Sequence, residues 1–123
     1  MTPGNFLDRI LEKKRARLAA SVSERPLGEV RRAAEGRRGE AVRHAFSRAL
    51  ADGGRVNVIA EFKRASPSKG EIRGGADVAG VVRAYEAGGA AALSVLTEED
   101  FFRGSLRDLE EAKESVRLPV LRK

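Results

Sequence analysis

The apolar positions along the chain change their rhythm near residue 54. Phe6, Leu7, Ile10, Leu11 and Leu18 recur near helical spacing with charged residues between them, which predicts an amphipathic helix over residues 4–20. Asn5 stands where that helix needs an N-cap. Pro26 and Gly28 interrupt the pattern. Residues 28–52 are again helix-like but weakly periodic, with Val30, Ala33, Val42, Phe46 and Leu50 as candidate inward positions. Asp52-Gly53-Gly54 is a strong stop and turn signal.

Beyond that turn the pattern alternates between strand and helix. Val56 to Lys63 is a short β-rich run, and Ser66-Pro67-Ser68-Lys69-Gly70 has the composition of a loop. Val78, Val81, Val82 and Tyr85 mark a helix over residues 77–87, closed by Gly88-Gly89. Ala91 to Thr97 is nearly continuous in apolar residues, as expected of a strand buried on both faces of a parallel sheet. Ser105 can cap a helix running to Val116, with Asp108 three residues on in a variant of the capping box. Pro119-Val120-Leu121 begins another strand. The expected organisation is a helical N-terminal extension over residues 1–54, followed by β-α-β-α-β over residues 55–123. A final strand without a covering helix, in a sheet with open edges, suggests part of something longer.

Composition narrows this picture. Hydrophobic residues make up 41% and charged residues 34%, which fits a folded, soluble chain. The net charge is +6 and the isoelectric point about 10.3. Basic residues such as Lys13, Lys14, Arg15, Arg31 and Arg32 concentrate over residues 13–43. Nucleic-acid or membrane-surface binding is one explanation of that charge; a generally basic enzyme with an anionic substrate is another. No stacking aromatic is interleaved between Phe6 and Phe46, so a solvated helical face is the preferred reading, with neither nucleic acid nor membrane as partner. Cysteine is absent, which excludes disulfides and Cys-based metal sites. No apolar run approaches the roughly 20 residues needed to span a bilayer, and no signal-peptide pattern opens the chain. A cytoplasmic protein is expected.

Four places could carry chemistry. In a strand, Glu61 and Lys63 share one face while Val58, Ala60 and Phe62 take the other. The pair is ordinary on a solvated face and costly to enclose without purpose. The Ser66–Gly70 segment follows directly, at the carboxyl end of the strand, where hydroxyls, amides and a Lys suit a phosphate; a plain turn is the simpler reading. Lys123 also lies near a strand's carboxyl end, although by position alone it is only a terminal residue. Glu98-Glu99-Asp100 offers carboxylates for acid–base or metal chemistry but reads more simply as a solvated loop. The adjoining Phe101-Phe102 could pack onto a pocket and hold an apolar ring. His44 has no partner cluster and is assigned no role.

Read as one string, Val58-Ile59-Ala60-Glu61-Phe62-Lys63-Arg64-Ala65-Ser66-Pro67-Ser68-Lys69-Gly70 closely resembles the signature of the indole-3-glycerol phosphate synthases. Leu93-Ser94-Val95-Leu96-Thr97-Glu98 is similar to the family's second barrel strand. Phe102-Arg103-Gly104-Ser105 is similar to the loop after it, and Leu118 to Lys123 to the third strand. The helix from Leu7 to Lys14 is similar to the family's extra N-terminal helix. The resemblance covers nearly the whole chain and is weakest over residues 20–50.

The resemblance implies the N-terminal portion of a (β/α)8 TIM barrel, with strands one to three preceded by a helical extension. It implies a carboxy-lyase of tryptophan biosynthesis, closing the ring of 1-(2-carboxyphenylamino)-1-deoxyribulose 5-phosphate to indole-3-glycerol phosphate with loss of CO2 and water. Lys123 would be the general acid at the substrate carbonyl, and Lys63 a substrate contact and acid in the dehydration. Glu61 would orient these groups, Ser66 would hold the phosphate end, and Phe102 would line the anthranilate pocket. Neither a metal nor an organic cofactor is implied. The family's general base and most of its phosphate site lie on later strands, so the isolated chain is expected to be inactive. Fusion to, or association with, other tryptophan-pathway enzymes is left open for the full-length protein. Another phosphate-binding barrel of amino-acid biosynthesis fits the Glu-x-Lys-x-x-Ser-Pro-Ser string less well.

Overall fold

A computed structural model describes residues 5–123 and divides the chain into two compact units, with the boundary between Arg43 and His44. The first unit contains helix α1 (Phe6–Glu24) and helix α2 (Leu27–Glu40). Asn5 caps α1 as its sequence predicts. Its side chain accepts from the Asp8 amide at 3.0 Å while Asp8 accepts from the Asn5 amide at 3.1 Å, a reciprocal capping box. The chain breaks at Pro26, which has no amide proton to continue α1 and leads into α2. Neither helix buries a residue, so Leu7, Leu11 and Leu18 are exposed rather than facing a core. Among the described residues no helix is long and apolar enough to cross a membrane.

The second unit begins at His44. The weakly periodic segment 28–52 is not one helix. After α2 the chain turns through His44, whose φ of 58° is left-handed, into the short helix α3 (Ala45–Ala49). Asn57 then ties the following turn together, its side-chain amide donating to the carbonyls of Leu50 and Asp52.

Strands β1 (Ile59–Phe62), β4 (Ala92–Val95) and β5 (Val120–Arg122) form a parallel sheet in the order β1-β4-β5. Helix α4 (Val78–Ala87) connects the first pair and α5 (Leu106–Ser115) the second. Register is set residue by residue: Glu61 stands beside Ser94, and Ser94 beside Leu121. One face of the sheet packs under the helices, where Phe62, Leu93 and Val95 meet Val78 and Val82 of α4 and Ala112 of α5. These side chains leave water almost completely, at about 25 cal/mol per Å² of apolar surface, and supply the main driving force of this unit. Ala60 joins the same cluster, whereas Val58, expected on that face, precedes the strand and is half-exposed.

Two sequence expectations change in the connections. The Ser66–Gly70 segment is a small antiparallel hairpin rather than an open loop, formed by β2 (Ala65–Ser66) and β3 (Gly70–Glu71). Gly70 takes φ +64°, a conformation its neighbour residue types adopt only under strain. Ser105 does cap α5, accepting the Asp108 amide at 3.0 Å. The Asp108 carboxylate does not return to Ser105, however. It reaches 44 residues back to Arg64 in a bidentate pair, at 3.0 and 2.8 Å.

Candidate active site

The helix-free face of the sheet carries the polar residues. Alternation turns Glu61 away from the core formed by its neighbours, and register brings Ser94 alongside it. The Ser94 hydroxyl donates to Glu61 Oε2 at 3.2 Å. Lys123 Nζ donates to the same oxygen at 3.0 Å, and Lys63 Nζ lies 3.7 Å from Oε1. One carboxylate therefore bridges two ammonium groups from the ends of two different strands.

The supports of this cluster come from the neighbouring helix and strand. Tyr85 on α4 donates its hydroxyl to the Glu61 carbonyl at 3.2 Å, fixing β1 beneath the carboxylate. Lys123 lies just past β5, yet its backbone is still in the ladder. Its amide donates to Val95 O at 2.9 Å, and its carbonyl accepts from the Thr97 amide at 2.8 Å and the Thr97 hydroxyl at 3.1 Å. Burial pushes the Glu61 carboxyl up, but the Lys123 hydrogen bond and charge, the Ser94 hydroxyl and the Lys63 charge outweigh it. The net result is a pKa below the usual carboxylate value.

Ser66 and Phe102 lie at the same carboxyl edge on the two connections. Ser66 is buried in the hairpin, its hydroxyl 3.5 Å from that of Ser68 and accepting the Lys69 amide at 3.3 Å. Phe102 lies in the segment between β4 and α5, and its carbonyl accepts the Ala65 amide at 3.2 Å. That bond joins the two connections one residue from Ser66. The geometry thus unites Glu61, Lys63 and Lys123 by direct contact, and brings Ser66 and Phe102 together through backbone.

In the acidic segment after β4, Glu99 and Asp100 are exposed, as a solvated loop requires, but Glu98 is not. Glu98 is only 9% exposed, and its carboxylate accepts the amides of Asp100, Phe101 and Phe102. Among the described residues no cluster of His, Asp or Glu could hold a metal ion. Sequence reasoning passed over Ser94, Thr97 and Tyr85. The only signal for Ser94 was a hydroxyl inside an apolar strand, in the register position beside Glu61.

Parallel strands joined by helices, with charged side chains gathered at the strands' carboxyl ends, define an α/β protein with its polar centre at one sheet edge. The family model described as indole-3-glycerol phosphate synthase matches residues 7–123. An indole-3-glycerol phosphate synthase of Mycolicibacterium gilvum is 47% identical over 123 residues, all of this chain and 44% of the relative. One from Burkholderia ambifaria is 47% identical over 119 residues, 97% of this chain and 45% of the relative. One from Leifsonia xyli is 61% identical over 75 residues, 61% of this chain and 29% of the relative. The chain therefore spans less than half the length of these relatives. It belongs to the indole-3-glycerol phosphate synthase family, whose members are built on a TIM barrel.

Proposed function

We propose that this chain supplies the first three strands of a (β/α)8 barrel and, with them, the acid half of an indole-3-glycerol phosphate synthase site. The observation that carries the proposal is the Glu61 bridge between Lys63 and Lys123. In this reading β1, β4 and β5 are barrel strands one to three, residues 1–54 are the extension ahead of the barrel, and the helix-free face lines the interior.

The substrate is 1-(2-carboxyphenylamino)-1-deoxyribulose 5-phosphate. Lys123 gives a proton to its ketone oxygen as the aromatic carbon attacks the carbonyl carbon. The carboxylate then leaves as CO2, and the departing hydroxyl takes a proton to leave as water. Lys63 serves that second step and holds the substrate. Glu61 keeps both ammonium groups aimed, its two carboxylate oxygens each facing one of them. Ser66 binds the phosphate end together with residues on later strands, and Phe102 stacks on the anthranilate ring. The base that accepts the proton lost in the dehydration, from the methylene carbon beside the nitrogen, belongs to those later strands, and the chemistry takes place in the cytoplasm.

The test is conversion of this substrate by the full-length protein, followed by the appearance of the indole chromophore and release of CO2. Conversion by the full-length protein and none by residues 1–123 alone is expected. Turnover by residues 1–123, free of full-length enzyme, would overturn the division into acid and base halves.

A further inference from the structure

Glu98 is a buried carboxylate that the proposed mechanism leaves without a task. A buried charge is retained only when its lone pairs are well satisfied, and here the partners are all backbone. Oε1 accepts from the Asp100 amide at 3.0 Å; Oε2 accepts from Phe101 at 2.8 Å and Phe102 at 3.1 Å. The Glu98 carbonyl accepts the Gly104 amide at 2.8 Å, closing the segment from the other side. Arg103, at φ 52°, aims its guanidinium at Glu71 of the hairpin, 2.6 Å away. Together with the bond from the Ala65 amide to Phe102 O, the segment is clamped between Glu98 and the Ser66 hairpin.

We infer that Glu98 is a positioning residue for substrate recognition: its carboxylate fixes the backbone at Phe102 and so sets the aromatic end of the site relative to Ser66. The inference rests on the reading of Phe102 as the anthranilate contact. The Glu98 carboxylate is turned to the amides of residues 100–102, whereas the two lysines pair with Glu61. Loss of Glu98 therefore weakens binding that is common to ground and transition states, which raises KM and leaves kcat nearly unchanged. A residue that merely held the fold together would lower the active fraction, and so kcat, without moving KM.

The experiment uses the full-length protein with Glu98→Ala, Glu98→Gln, Phe102→Leu and the Glu98→Ala/Phe102→Leu double variant. Glu98→Ala is expected to raise KM about tenfold with kcat within about threefold. Glu98→Gln keeps a single acceptor oxygen, so it falls between Ala and wild type and serves if the Ala variant fails to fold. The double variant is expected to be no worse than the more damaging single one, because both act through one ring. A KM unmoved in folded Glu98→Ala and Glu98→Gln, or additive effects in the double variant, would overturn the inference. Amide exchange is the second readout: protection at residues 100–102 should drop in the Glu98 variants, and unchanged protection also overturns it. Wild-type protein that does not turn over the substrate defeats the functional reading and with it the link to substrate recognition, while exchange at residues 100–102 separately decides whether Glu98 fixes the backbone at Phe102.

Discussion

Replacing Asp108 by Ala should destabilise the protein far more than a surface ion pair would. The Arg64–Asp108 pair is bidentate, and its side chains are only 17% and 8% exposed. Arg64 also donates to the carbonyls of Gly74 at 2.8 Å and Ala76 at 3.1 Å, and its guanidinium stacks 5.1 Å from the centre of the Phe62 ring. The Asp108 hydrogen bond holds the guanidinium's proton affinity above its ordinary value; that support goes with Asp108, but a guanidinium's intrinsic affinity keeps Arg64 charged without it. Breaking a buried pair from one side costs about 3–5 kcal/mol because the remaining charge is uncompensated. Two carbonyl acceptors and the aromatic ring remain, and some water can enter, so about 2–3 kcal/mol is expected, a shift of roughly 30- to 150-fold in the folding equilibrium. Urea unfolding of the full-length protein should show a lower midpoint with an unchanged slope. The double variant Arg64→Met/Asp108→Leu should lose less than Asp108→Ala alone, since no charge is stranded. A loss below about 1 kcal/mol for Asp108→Ala, or a double variant worse than the single, would refute this account of the pair.

Glu61→Gln should have the opposite profile. Its lysine partners are too exposed to add more than about 1 kcal/mol of stability, while loss of their alignment should cost on the order of 100-fold in kcat. Because the folded pKa of Glu61 is depressed, its contribution to stability is present above the ordinary carboxylate pKa and is lost as pH falls through the lower folded value. Acid unfolding of wild type and Glu61→Gln should therefore converge below pH ~4 and diverge above it. Gly104→Ala should cost about 1–3 kcal/mol in thermal or urea unfolding, because a Cβ there would run into the backbone of Leu96 and Thr97, which cannot yield as a side chain could. An unfolding midpoint at the wild-type value would show that the segment relaxes freely.

What the sequence made legible was local. Alternation put Glu61 and Lys63 on one strand face, Asn5 and Ser105 announced their helices, and the apolar run at residues 91–97 read as a doubly covered strand. The contacts that organise the site are not local. Lys123 meets Glu61 across 62 residues and Arg64 meets Asp108 across 44, and periodicity carries no information about partners at such separations. Asp108 looked like half of a capping box because that motif uses the same spacing; the competing guanidinium was invisible. Glu98 was misread for a related reason. Acidic composition suggests solvent, whereas backbone amides, which no sequence motif displays, are what its carboxylate binds. The importance of Lys123 came from the family resemblance rather than from pattern.

The central claim is that Lys123, held by Glu61, is the acid of ring closure. The most direct measurement is single-turnover kinetics of Lys123→Met in the full-length protein with saturating substrate. A fall in the ring-closure rate of about 10²–10⁴-fold, with substrate affinity within a few-fold of wild type, is predicted. A folded Lys123→Met protein that closes the ring at the wild-type rate would contradict it.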